Sequence, residues 1–254
     1  MSPQNITNDQ STTSTTTQSE LNEGKPYLFY GCATTNPWKI KIMFDELGID
    51  YKYEEIDIFN DASPKKIEFK KTFPNGKVPA IIDYTVSPPL PIFESGAILL
   101  YLAGKHGKFL PDIKTNPREH ADVLQWLAWQ ISGLGPMNGQ YTYFSCFAPE
   151  AVPAAEERYY KETDRLYTLL DQQLADKEWI AAGQFSIADM AVYAWAVYIR
   201  EGFLPHHEKY PNVMSWLDRM NKRPSIAKQL ATILEPLAGE IEHLKHAGTY
   251  RIKF

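Results

Sequence analysis

Gly76-Lys77-Val78-Pro79-Ala80-Ile81-Ile82-Asp83 is the stretch on which the fold turns. Proline cannot donate to a sheet ladder, so Pro79 begins a strand, lies on an edge, or follows a cis bond. A cis bond would leave the N–H and C=O of Val78 facing outward, where an extended peptide ligand docks in strand-like fashion. Ala80 to Asp83 reads as a strand, with a second at residues 91–93. Upstream, Tyr27-Leu-Phe-Tyr30 is a short β-favouring run. Ile40, Met43, Phe44 and Leu47 recur three or four apart, which predicts an amphipathic helix over residues 37–47 that Gly48 ends. Residues 51–58 alternate like a strand, and a lysine-rich helix is expected over 64–71. With a helix over residues 95–106, the order β-α-β-α-β-β-α predicts a small mixed sheet with helices on its faces.

From Pro117 onward only helices are expected: residues 119–130, 151–174, 186–200, 210–220 and 225–230. The segment 186–200 is apolar all round, the mark of a bundle's central rod. The fold class expected is therefore α+β, a mixed sheet domain over 25–112 and an all-helical domain over 117–232. Sixteen of the first 24 residues are Ser, Thr, Asn or Gln, and only Met1, Ile6 and Leu21 offer apolar surface. Such a segment cannot offset the entropy of ordering it, so residues 1–24 read as a disordered tail. It has neither region of a signal peptide, and the Asn5-Ile6-Thr7 sequon is expected to stay unmodified. The extension 233–254 is assigned no role.

The 254 residues are 44% apolar, enough for a core. Cys32 and Cys146 are the only cysteines, which speaks against a disulfide framework and for a reducing, cytoplasmic setting. A net charge of -5 argues against a nucleic-acid partner, and no apolar run is long enough for a membrane span. The six histidines show no metal-ligand spacing, so no metal is expected.

Three constellations carry chemistry. Cys32-Ala-Thr34-Thr-Asn36-Pro37 opens the first helix, whose free N–H groups and partial positive charge favour a bound anion or thiolate. Thr34 and Asn36 add donors there; the plainer reading is that Asn36 caps a helix beginning at Pro37. Cys32 lacks a second thiol and reads more simply as a small buried hydrophobe. The second constellation is Val78-Pro79. The third is Glu94-Ser95, where Ser95 reads as a helix cap. A ligand bearing an α-amino acid group would set its carboxylate on Ser95 and the helix N-terminus, and its ammonium on Glu94.

In this order the three resemble the glutathione site of the glutathione transferase family. The family's fold, a thioredoxin-like first domain and a helical second one, agrees with the expected element order. Ser186-Ile-Ala-Asp189 is similar to the family's capping box, in which Ser186 caps and Asp189 reaches back to the Ser186 N–H. Thr34-Thr-Asn36-Pro-Trp-Lys39, Asn75-Gly-Lys-Val-Pro79, residues 93–102 and the run Trp129-Gln-Ile-Ser-Gly-Leu-Gly-Pro-Met-Asn-Gly-Gln140 resemble the Nu class. That class includes bacterial disulfide-bond reductases, fungal enzymes and the yeast nitrogen-regulatory prion protein. The last run is the most specific, because Gly-x-Gly-Pro inside a helix is costly.

The resemblance implies that glutathione is the cosubstrate, with Thr34 and Asn36 beside its sulfur. Val78, before Pro79, would pair with its cysteinyl unit, Lys77 would lie near its backbone, and Glu94 and Ser95 would hold its γ-glutamyl end. It implies a homodimer whose Arg158 reaches the partner's site. It leaves the glycyl end unassigned, because the segment 61–65 lacks the expected Gln or His, and it leaves no catalytic Tyr, since Tyr30 lies too early. The activity expected is attack of a bound glutathione thiolate on a disulfide or an electrophilic small molecule. The alternative is a non-catalytic regulator. The five lysines between Lys65 and Lys77 suggest either a solvated face or a patch that draws the anionic tripeptide.

Overall fold

The computed structural model describes residues 22–201 and 204–230. The tail expected over 1–24 falls outside these except for its last three residues, and so does the extension 233–254. Asn22 is buried, and its side-chain amide donates to Lys25 O at 2.6 Å.

Four strands, β1 (Tyr27–Gly31), β2 (Tyr51–Glu55), β3 (Ala80–Asp83) and β4 (Leu90–Phe93), form one sheet in the order β2-β1-β3-β4. β1 and β2 run parallel, and the other two pairings are antiparallel. The parallel pair needs a crossover, which α1 (Thr35–Leu47) supplies; Gly48, at φ 68°, ends it in the left-handed conformation that suits glycine. α2 (Pro64–Thr72) is capped by Ser63, whose hydroxyl accepts from Lys66 N at 3.2 Å. α3 (Ser95–His106) follows β4 directly.

The helical half holds α4 (Pro117–Trp129), α5 (Gly135–Thr142), α6 (Pro153–Gln173), α7 (Ile187–Ala196), α8 (Pro211–Asn221) and the short α9 (Pro224–Ala227). Two π-helical turns, Gln130–Leu134 and Tyr143–Phe147, flank α5. The fold is thus the expected thioredoxin-like sheet with an all-helical second half. Nine of the ten residues of α7 are buried, and Trp195 is the half-buried exception. Its capping box forms as expected: Ser186 Oγ accepts from Ala188 N, and Asp189 accepts from Ser186 N at 3.0 Å.

One core runs through both halves, from Phe29, Ile40 and Phe44 to Met190, Tyr193 and Trp216. Arg223, before α9, grips Glu46 of α1 through two parallel hydrogen bonds of 2.8 and 2.7 Å, and Ser225 adds a third. A small second cluster, Ile56, Phe69, Phe73 and Ala80, closes the other side of the sheet under α2. Among the described residues no helix is long and apolar enough to cross a membrane.

Candidate functional site

The sheet register brings the three constellations to one end. Tyr30 pairs with Ala80, and Ala80 with Phe93. One or two residues beyond these pairs lie the loop starting at Cys32, the Val78–Pro79 bond, which is cis, and Glu94. The N-termini of α1 and α3 start from this same edge, so unpaired backbone N–H groups from two helices meet there.

The first constellation differs from the capping expectation. Thr34 is extended (φ -135°, ψ 166°) and helix α1 begins at Thr35, so Asn36 is already inside the first turn and caps nothing. Pro37 is tolerated as third helical residue because its missing N–H has no partner there in any case. Freed from capping, Asn36 crosses to the helical half: its Oδ1 accepts from Trp195 Nε1 at 3.2 Å. Among the described residues its Nδ2 makes no hydrogen bond. Thr34 Oγ1 lies 3.2 Å from Cys32 Sγ. Burial pushes the Cys32 thiol up, partly countered by that contact, so its sulfur stays protonated near neutrality.

Ser95 likewise is not a cap. The capping position of α3 is Glu94, held at φ 71°, in the region that L side chains rarely adopt. The side chain of Glu94 is exposed, and its Oε1 accepts from Asn75 Nδ2 at 3.1 Å. Ser95 is 7% exposed, and its Oγ accepts from Lys39 Nζ at 3.2 Å. Lys39 is itself 2% exposed and donates to Gln130 Oε1 at 2.7 Å. Burial brings its ammonium down to about 7, with the charge of Glu94 pulling the other way.

Pro79 is buried, Val78 half-buried and Lys77 exposed. The lysine patch is mostly neutralised: Lys65 pairs with Glu54 at 2.6 Å, Lys70 with Asp61 at 2.9 Å, Lys71 with Glu68 at 2.6 Å, and Lys66 is buried. Lys77 alone of the five is exposed without an ion pair among the described residues, so the positive charge is local to the Val78 loop. Tyr30 packs on Phe69 and Phe73, and burial lifts its hydroxyl to about 12.

A cleft of about 670 Å³ runs from Thr34 past Asp57 and Phe59 to Ser63 and Lys65. Arg158 is not brought to this end of the sheet. It is exposed on α6 and lines a separate cleft with Met137, Glu157, Lys161 and Arg165, which none of the other candidate residues lines.

Residues 25–104 match the family model for the N-terminal domain of glutathione S-transferases, and residues 135–224 match the model for the C-terminal domain. The chain belongs to the glutathione transferase family. Within that family it is similar to the disulfide-bond oxidoreductase YfcG of Escherichia coli, 40% identical over 205 residues that cover 79% of this chain and 93% of YfcG. A glutathione transferase from Pseudomonas putida, solved with one glutathione disulfide per subunit, superposes with a TM-score of 0.74 at 35% identity, covering 81% of this chain and 91% of that one. Ure2p in complex with glutathione superposes at 0.73 and 29% identity, covering 81% and 93%. These relatives agree with the Nu-class resemblance. Lys39 and Gln130 stand within the motifs that carry it without an assigned role, and Trp195 lies outside them. Their contacts reach across 56 to 159 residues, which no local spacing announces.

Proposed function

We propose that this transferase binds glutathione along the end of the sheet and uses its thiolate to reduce disulfides, with attack on carbon electrophiles as a lesser activity. The γ-glutamyl carboxylate sits on Ser95 and the N-terminus of α3, and the ammonium on Glu94. The backbone of Val78 pairs with the cysteinyl unit, Lys77 lies beside the ligand's backbone, and Pro79 fixes the turn. The sulfur then faces Thr34, Asn36 and the N-terminus of α1. The glycyl end extends into the cleft toward Ser63 and Lys65. Two copies assemble, and Arg158 of one reaches the site of the other.

The observation that carries this reading is the free Nδ2 of Asn36 at the start of α1, with no protein thiolate competing beside it. Free glutathione has a thiol pKa of about 8.5, so only a few per cent is reactive at pH 7. A helix N-terminus with one or two hydrogen bonds stabilises the anion by about 1–2 kcal/mol, roughly one pKa unit. The thiolate attacks one sulfur of a disulfide and forms a mixed disulfide, while the other sulfur departs as a thiolate and takes a proton from water. A second glutathione resolves the mixed disulfide and releases glutathione disulfide and the second thiol. Likeness to YfcG favours this reaction over conjugation.

The test compares turnover of hydroxyethyl disulfide and of an aryl halide. Wild type should favour the disulfide, and Asn36→Ala should lose about 5- to 30-fold of that rate. Unchanged turnover and thiolate formation in Asn36→Ala would sink the thiolate role of Asn36. Tight glutathione binding without turnover would point instead to a regulator.

A further inference from the structure

Trp195, Gly135 and Gly139 have no role in the reading above, yet Trp195 links both glycines to Asn36. Trp195 projects from the centre of the helical half, and its indole N–H meets a side chain 159 residues away. The benzenoid edge of its ring lies on α5, where a Cβ on Gly139 would come within 3.1 Å of Cη2 and a Cβ on Gly135 within 3.4 Å of Cε2. The first is tighter than ordinary packing and the second is close van der Waals contact, with Gln130 Nε2 nearer still to that Cβ at 2.8 Å, so the two glycines form a seat that larger residues would fill. The seat fixes the ring, and the ring fixes the direction of its N–H.

An indole nitrogen is a donor only, whereas an asparagine amide has one accepting end and one donating end. The end that meets Trp195 must therefore be Oδ1, and the end left over is Nδ2. Rotated by half a turn, Asn36 would set its NH₂ against the indole N–H and offer an oxygen to the ligand sulfur. Both contacts are repulsive, the second most of all when the sulfur is a thiolate.

We infer that Trp195 is a positioning residue for the ligand sulfur, holding the Asn36 amide so that Nδ2 is the end presented to a thiolate, with Gly135 and Gly139 as the seat of its ring. This rests on the thiolate role of Asn36 proposed above. It assigns Gly135 and Gly139 to sulfur chemistry as well as to helix packing.

The experiment titrates the ultraviolet absorbance of bound glutathione thiolate in wild type, Trp195→Phe, Asn36→Ala and the double variant. Phenylalanine keeps a ring on the seat and removes the N–H. The titration midpoint should rise in Trp195→Phe by about half a unit to one unit, while the glutathione KM stays within about twofold. The double variant should titrate like Asn36→Ala alone, because Trp195 acts through that amide. Gly139→Ala, which keeps the indole but crowds it, should shift the midpoint in the same direction, and it stands in should Trp195→Phe fail to fold. A Trp195→Phe midpoint equal to wild type beside a shifted Asn36→Ala overturns this inference alone, and so does a Trp195→Phe effect of equal size in both backgrounds. An unshifted Asn36→Ala overturns the reading of Asn36 and this inference with it.

Discussion

Lys39 sits where an ammonium is least at ease, buried with two neutral acceptors, Ser95 and Gln130, and with the charge of Glu94 in its favour. Unfolded, the same lysine holds its proton up to an ordinary value of 10.5, and in the fold only up to about 7. Between those limits the unfolded chain binds more protons, so this group makes stability rise with pH across the window, a slope that Lys39→Met should remove in denaturant titrations. A carboxylate placed on Ser95 adds negative charge beside Lys39 and draws a proton back onto it. Binding of S-methylglutathione, which has no ionisable sulfur, should therefore take up protons near pH 8. Calorimetry in buffers of different ionisation enthalpy reads the uptake, and Lys39→Met should abolish it. Thr34, Asn36, Val78, Glu94 and Ser95 can be singled out as candidates from the sequence because each belongs to a short local motif. Lys39 cannot, since its partners lie 56 and 91 residues away. The cap readings of Asn36 and Ser95 fail, because a polar residue near a helix start looks alike whether it faces its own backbone or another element.

Among the elements, α7 depends on one carboxylate. Asp189 is fully buried and accepts from Ile180 N, Ser186 N, Ser186 Oγ and Trp216 Nε1 at 3.0–3.1 Å. Burial raises its carboxyl to about 6 in spite of those donors. Asp189→Ala strands several buried donors at once and should cost about 3–5 kcal/mol in urea unfolding, whereas Asp189→Asn keeps the shape and should cost less. The capping box was readable from its Ser-x-x-Asp spacing alone. The π-helical turn at Gln130–Leu134 was not. The sequence predicts a helix ending near residue 130 and a costly Gly-x-Gly-Pro within helix. The backbone instead widens, with Gly135 N donating to Gln130 O, and continues into α5 without a break, Pro136 in its first turn.

At the scale of the whole molecule, Arg158 stands apart from the other site residues of its own chain. The proposed assembly therefore makes each site a joint product of two copies. Co-expressing an Arg158→Ala chain with a Glu94→Ala chain tests it. Each variant alone should be nearly inactive, while mixed dimers should regain one intact site and roughly half the wild-type turnover per dimer. No recovery would mean that Arg158 acts within its own chain or not at all. The two halves also depend on each other inside one chain, through the shared core, the Arg223–Glu46 grip and the Trp195–Asn36 hydrogen bond. That last bond bears on how such proteins can be recombined. A chimera that joins this sheet to the helical half of a relative lacking a tryptophan at that place would inherit the peptide-binding edge whole and the sulfur's surroundings incomplete. On the proposed reading, tripeptide recognition would move as a module, whereas reactivity would be written across the joint.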